Sequence, residues 1–259
     1  MDIVNQNRIA WDQKVEDGAV YTQEVTTELI KKSKAGDWGI TVTTKKPVPK
    51  SWFPPSLKGK KILCLASGGG QQGPILAAAG GDVTVFDISE RQLEKDKLVA
   101  RCEGLQLKTV QGDMTNLSCF KNGAFDIIIH PVSNLFVEDI SLVWQEAYRV
   151  LKDKGTLISG FTNPVLFIFD DAEDQKGNLV VKHEIPFHSL QHLTQAEAEA
   201  YIEAKHTIEF GHTLEDQIQG QIEAGFSITG FYEDDFGGSR PLDQYLKCFI
   251  ATKAVKISL

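Results

Sequence analysis

The chain has 259 residues, 42% of them hydrophobic and 24% charged, with 27 Lys and Arg against 35 Asp and Glu for a formal net charge of −8. This size and apolar content suit one compact α/β domain with an appendage, and no run approaches the ~18 apolar residues of a membrane span. The acidic balance, with only short basic clusters such as Lys31-Lys32 and Lys58 to Lys61, argues against a nucleic-acid substrate, whose phosphates favour a basic face.

Residues 1–46 read as two short helices and a connector. Trp11 and Val15 are spaced four apart, and Thr27-Glu-Leu-Ile-Lys-Lys runs towards Gly36. The stretch Pro47 to Pro55 holds four prolines, which restrict their neighbours to extended backbone and make a stiff connection. From Lys61 strands alternate with helices. Ile62 to Ala66 is an uninterrupted apolar run, the pattern of a strand buried on both faces. Pro74 and Gly80 bracket a helix, and Val83–Phe86 is a second strand. Ser89-Glu-Arg-Gln92 forms a capping box for a helix reaching about Cys102.

Leu107–Val110 and Phe125–Ile129 are the third and fourth strands. The helix from about Val137 carries Ile140, Val143, Trp144, Ala147 and Leu151 at helical spacing, the stripe that packs on a sheet. Thr156–Ser159 is the fifth strand. Residues 163–212 break the rhythm, with a hairpin expected around Gly177-Asn178, an extended Leu179–Ile185 and a helix over Thr194–Lys205. Some fifty residues exceed an ordinary loop and read as an inserted cap. A helix near Leu214, Ile218 and Ile222 ends at Gly225, and Phe226–Tyr232 and Tyr245–Val255 are the last strands.

Alternation of this kind makes right-handed crossovers and a parallel sheet. The expected fold is α/β: a Rossmann-like, seven-stranded, mostly parallel sheet with helices on both faces. Residues 1–55 are expected to form an N-terminal helical cap and connector, and 56–259 the core, with its cap insert at about 163–212 after strand five.

Ala66-Ser67-Gly68-Gly69-Gly70-Gln71-Gln72-Gly73 directly follows the first strand. Glycines there permit a tight turn and let a ligand lie against the main chain at the carboxyl edge, where open α/β sheets bind ligands. Gly68-x-Gly70-x-x-Gly73 also matches the dinucleotide fingerprint. Asp87, with Ile88 beside it, ends the second strand, where a carboxylate accepts from both ribose hydroxyls of an adenosine. Gly112-Asp113-Met114 follows the third strand, where an acid suits an adenine amino group and a methionine the ring face; Gly-Asp also suits a plain turn.

His130-Pro-Val-Ser133-Asn134 follows the fourth strand beside the expected switch point. His130 is a candidate for the lining of the cofactor pocket or for a general base, against the plainer reading of a structural histidine. Ser133 and Asn134 are polar candidates for ligand contacts. Trp11, Tyr21, Trp52, Phe167 and Phe187 are candidates for an aromatic substrate lining, with ordinary packing as the alternative. His183, His188 and His192 with Asp170, Asp171, Glu173 and Asp174 match no zinc spacing, and no metal is expected. No Gly-x-Ser-x-Gly string is present, so a hydrolase has little support. Cys64, Cys102, Cys119 and Cys248 share no metal-ligand spacing, and the N-terminal residues lack a signal pattern; a reduced, cytoplasmic protein is expected.

Together these motifs resemble the class I S-adenosylmethionine (SAM)-dependent methyltransferase family. Leu63-Cys-Leu-Ala-Ser-Gly-Gly-Gly70 is similar to its first motif, Val85-Phe-Asp87-Ile-Ser89 to its ribose-binding motif, and Gly112-Asp113-Met114 to its adenine-side motif. Glu146-x-x-Arg149-Val-Leu-Lys152-x-x-Gly155 resembles the signature before its fifth strand, and Gly225-Phe226 the turn into its sixth. Cys64 and Ala66 depart from the acid and glycine common at those positions. The run from Leu63 to Gln72 and the run His130 to Asn134 resemble an uncharacterised bacterial subgroup of small-molecule type.

The resemblance implies SAM as cofactor, held by Ala66, Ser67, Gly68, Gly69, Gly70, Asp87, Ile88, Asp113, Met114 and His130. It implies in-line methyl transfer to a small-molecule acceptor, with Trp11, Tyr21 and Asn134 on the substrate side and no nucleic-acid or membrane partner. An NAD(P)-dependent oxidoreductase and a non-catalytic SAM sensor stay open as alternatives.

Overall fold

The computed structural model describes residues 2–257. Its strands, in chain order, are β1 (Lys61–Leu65), β2 (Asp82–Asp87), β3 (Leu107–Gln111), β4 (Phe125–His130), β5 (Leu151–Thr162), β6 (Phe187–His188), β7 (Phe210–Gly211), β8 (Phe226–Asp234) and β9 (Phe249–Lys256). Seven of them form one sheet ordered β3-β2-β1-β4-β5-β9-β8, and β6 and β7 pair separately as a small ribbon. β1 to β5 run parallel and β9 runs antiparallel to both of its neighbours. The order reverses between β1 and β4, which places the switch point at their carboxyl ends.

Alternate side chains sort onto two faces, as a pleated strand requires. Ile62, Cys64, Ile127, Ile129 and Ile158 share a core with Leu76 of α3 (Gln72–Ala78), Leu93 and Val99 of α4 (Glu90–Glu103), and Ile30 of α2 (Thr27–Lys34). Leu63, Leu65, Ile128 and Leu157 pack on the opposite face against Val143, Trp144, Ala147 and Val150 of α5 (Ile140–Val150). Full burial of each such aliphatic side chain contributes roughly 1.5–3 kcal/mol.

Ile40, Val42, Val48, Phe53 and Leu57 join the first of these clusters, so the connector is a layer of the core. Gly160 of β5 makes this contact close: a Cβ there would stand 1.9 Å from the Val42 carbonyl oxygen. The same carbonyl accepts from Val132 N–H at 3.1 Å. The end of the connector is tied down at Asp234, whose Oδ2 accepts from the backbone of Lys45 and Lys46 at 2.8 Å each.

Further helices are α1 (Ile3–Glu16), α6 (Asp171–Asp174), α7 (Gln195–Glu203), a π-helical turn at Glu215–Gln219 and α8 (Gly220–Glu223), and short 3-10 turns lie between the larger elements. Ser89 caps α4 as expected, accepting from Gln92 N–H at 3.1 Å, but the Gln92 side-chain oxygen has no partner, so only half of the capping box forms. α5 starts at Ile140 rather than Val137, because Asp139 supplies the cap. β5 extends beyond the expected four residues, since β9 pairs with it from Thr156 to Thr162. β9 itself begins at Phe249, not Tyr245; Pro241–Gln244 forms a 3-10 turn that buries Leu242 beside Cys248 and Phe249. The chain reverses at Gly177 with φ +94°, and Phe169 bridges Val181 across it, with α6 inserted in the first arm.

Candidate functional site

The glycine loop leaves β1 through a strained residue. Ala66 sits at φ +47°, a left-handed conformation that glycine adopts freely and that costs an L-residue roughly 1–2 kcal/mol. Its N–H donates to Phe86 O at 2.7 Å, fixing the loop to β2. Ser67 is buried and donates to Gln72 Oε1, whose Nε2 in turn donates to Thr41 O.

The next three N–H groups of the loop all turn inward. Gly68 N–H donates to Asp87 Oδ2 at 2.8 Å. Gly69 and Gly70 N–H donate to Asp96 Oδ2 at 3.0 and 3.1 Å. A Cβ at Gly68 would meet the Gln92 Cβ at 2.7 Å and Asp87 Oδ2 at 3.0 Å, so the close approach demands glycine. Asp96 lies on the buried stripe of α4 with Gln92, Leu93, Val99 and Ala100 and has no exposed surface. Burial, only partly offset by the two glycine N–H groups, pushes its carboxyl up to about 8; the field of Asp87 adds to the rise. Its second oxygen has no partner.

Asp87 is buried at the end of β2, and its Oδ1 accepts from Ser89 N–H at 2.9 Å. Burial raises its carboxyl to about 6, opposed by the Ser89, Gly68 and Ile88 backbones and reinforced by the charge of Asp12. Asp12 comes from α1: Ser89 Oγ donates to its Oδ1 at 2.6 Å, and Arg8 pairs with its other oxygen. Neither Asp12 nor Asp96 stood out in the sequence. Asp96 had a signal, being an acid in the middle of an apolar helical stripe; Asp12 had none.

Asp113 accepts from the N–H and the hydroxyl of Thr115 at 3.0 and 2.7 Å, a local turn. Met114 is buried among Phe86, Leu117 and Phe125. His130 is fully buried at the switch point. Its Nδ1 stands 3.0 Å from Leu65 O and its Nε2 2.7 Å from the Asn134 side-chain oxygen. Burial lowers its pKa, against the pull of those two partners. A neutral ring donating Nδ1–H to Leu65 leaves Nε2 as an acceptor, which the Asn134 amide satisfies when its NH2 faces the ring. Either way both nitrogens are engaged, and no lone pair faces a substrate. Asn134 is itself buried, and its other end bonds Gln217 at 2.8 Å. Ser133 is buried and donates to Pro131 O.

The edge is roofed. Asn7 of α1 donates to Phe136 O and Ile208 O at 2.9 and 3.0 Å and accepts from Ile208 N–H at 2.7 Å. Gln6 reaches Ile202 O and His206 O. Trp11 meets Phe136 edge to face at 5.3 Å. Tyr21 is exposed, and its segment follows the glycine loop, with Val25 N–H donating to Gly70 O. Trp52 does not belong here. It packs against Gly230 and, tilted by 37°, against Tyr232, and it lines a cleft with Lys60, Asp126 and Lys152 at the amino edge, because the connector carries it to the far end of the strands. Among the described residues no group of three His, Cys, Asp or Glu side chains could hold a metal ion.

The N–H groups of Gly68, Gly69 and Gly70 are spent internally on Asp87 and Asp96, so these three are closed to a phosphate. Each Asp87 oxygen accepts one N–H and keeps a lone pair for a hydroxyl donor. Asp12 and Asp87 together favour a cationic ligand over an anionic one.

Comparison with known proteins agrees with this geometry. Residues 63–159 match a family model described as a methyltransferase domain. The chain is 54% identical over 255 residues to YbaJ, an uncharacterized methyltransferase of Bacillus subtilis (strain 168), covering 98% of this chain and 99% of that protein. An SAM-dependent methyltransferase of Mesorhizobium loti shares the fold with a TM-score of 0.60 at 16% identity, covering 80% of this chain and 95% of that one. The 1,6-didemethyltoxoflavin-N1-methyltransferase of Burkholderia thailandensis does so with a TM-score of 0.57 at 13% identity, covering 98% and 88%. From the near-complete match to the Bacillus protein and the methyltransferase-domain match across β1 to β5, the chain belongs to the class I SAM-dependent methyltransferase family.

Proposed function

We propose that this methyltransferase passes the methyl group of SAM in line to a small molecule enclosed between the carboxyl edge of the sheet and a roof of α1 and the 163–212 insert. The observation that carries the enclosed acceptor is the pinning of α1, through Asn7, to the loop after β4 and to the insert at once. A roof bonded on both sides suits a small acceptor and obstructs a long polymer.

SAM fits the residues present. Its ribose diol suits the lone pairs left on Asp87, and its sulfonium and ammonium outweigh its single carboxylate beside Asp12 and Asp87. When bound, SAM supplies an electrophilic methyl carbon, and no covalent intermediate on the protein is needed. Asp87 is assigned the ribose, and Ala66 to Gly70 with Ile88 the wall behind it. Asp113 and Met114 are assigned the adenine end, Asp113 through its free lone pairs and Met114 as packing from the core side.

His130 is assigned positioning: it ties the end of β1 to the loop after β4, and proton transfer is not required of it. Asn134 supports that ring instead of touching substrate, while Trp11 and Tyr21 are kept as roof contacts. A nicotinamide dinucleotide is disfavoured at Gly68 to Gly70, whose N–H groups are already donated to Asp87 and Asp96 and are closed to its pyrophosphate.

The test is transfer of radiolabelled methyl from SAM in a bacterial extract separated by size. Label in the fraction below about 1 kDa, the range of ordinary metabolites, supports an enclosed acceptor. Label confined to protein or nucleic acid would sink it.

A further inference from the structure

The β6–β7 ribbon carries a carboxylate that nothing so far uses. Phe187 faces Gly211 across the ribbon and His188 faces Phe210, and the next pair outward is Ser189 with Glu209, joined by Ser189 N–H to Glu209 O at 2.9 Å. Side chains alternate along such a ribbon, so Phe187, Gly211 and Glu209 share one face. His188 stacks on Phe210 on the other, with ring centroids 4.8 Å apart. On the Glu209 face Phe167 stacks on Phe187 with centroids 5.2 Å apart and planes 19° from parallel. Gly211 makes this possible, since a Cβ there would stand 2.7 Å from the Phe167 ring.

The ribbon sits at the site. Ile208 is bonded to Asn7 of α1, and His212 Nε2 donates to Asn134 O and Val137 O in the loop after β4 at 3.1 and 2.9 Å. Phe167 lies five residues beyond the end of β5. One Glu209 oxygen accepts from Thr207 Oγ1 at 3.0 Å. The other has no protein donor, and Glu209 forms no ion pair among the described residues. Its charged surroundings are Lys14 of α1 and Asp171 of α6, which oppose one another, and burial pushes its carboxyl upward. A half-buried acid left unpaired in a roofed site marks a place where a ligand supplies the partner.

We infer that Glu209 and the Phe167–Phe187 pair form the acceptor subsite, and that the acceptor is a nitrogen base bearing an ammonium or N–H donor. A carboxylate beside aromatic faces is the chemistry that selects an organic cation over a neutral or anionic molecule of equal size. This deepens the enclosed-acceptor reading and rests on it.

The test uses the full-length protein saturated with S-adenosylhomocysteine, titrated calorimetrically with phenethylammonium, benzylammonium and, as an anion of like size, phenylacetate. The ammonium probes are expected to bind at least about tenfold more tightly than phenylacetate. Glu209→Gln should remove that preference while leaving S-adenosylhomocysteine affinity unchanged, and Phe187→Leu should weaken both ammonium probes. Equal or tighter binding of phenylacetate, absent ammonium binding, or an unaltered preference in Glu209→Gln would overturn the subsite. The wild-type comparison decides even where a variant fails to fold. Failure of S-adenosylhomocysteine itself to bind would instead overturn the cofactor assignment beneath it.

Discussion

Asp96 holds the glycine loop at a cost that pH reveals. When folded it keeps its proton up to about pH 8, whereas an unfolded aspartate loses it near 3.8. Between those values the folded chain binds the extra proton, so this group's contribution to stability is present in acid and is lost as pH rises. The loss approaches about 1.4 kcal/mol per pH unit where the difference is full. Asparagine keeps an oxygen to accept from Gly69 and Gly70 N–H but does not titrate. Asp96→Asn should therefore gain stability relative to wild type as pH rises from 5 to 8, by roughly 3–4 kcal/mol across that span. Urea unfolding followed by tryptophan fluorescence at each pH measures the difference, and groups common to both proteins largely cancel in it. A difference constant within about 1 kcal/mol over this range would refute a buried carboxylate anchor.

Three further outcomes follow from the geometry. Ala66→Gly should stabilise the protein by up to about 1 kcal/mol in the same assay, because relief of the left-handed strain exceeds the added unfolded-state freedom; destabilisation would show that the methyl group packs usefully. Gly160→Ala should cost about 2 kcal/mol or more, since its methyl group collides with the Val42 carbonyl and the connector must move; a near-neutral effect would mean that the connector does not lie flat on β5. The His130 ring should titrate below the ordinary histidine range in heteronuclear NMR, as its burial requires; a normal or raised pKa would contradict the engagement of both ring nitrogens inside the core.

The sheet was legible because buried parallel strands leave uninterrupted apolar runs, such as Ile62 to Leu65, between glycine and capping signals. The α5 stripe was equally plain, since burial on one face imposes its period. Contacts made through backbone were not legible. α1 buries Gln6, Asn7 and Ala10, and its hold on the insert is amide to carbonyl, which leaves no hydrophobic period. The Trp11 and Val15 spacing therefore marked a helix but not the face it buries. Trp52 was misplaced for a related reason: composition shows an aromatic residue near a connector, while only the path of the chain shows which sheet edge it reaches. Asp87 was found from its position at a strand end. Glu209 was missed because it flanks a ribbon with only two residues in each strand, whose alternation is too short to read.

The acidic cradle at the end of β2 is the proposed SAM site. Calorimetric titration of the protein with SAM, S-adenosylhomocysteine and NAD, repeated on Asp87→Ala, tests it most directly. SAM or its product is expected to bind with a dissociation constant on the order of micromolar, binding to be lost in the variant, and NAD to give no heat. Binding of NAD, or SAM affinity unchanged by Asp87→Ala, would contradict it.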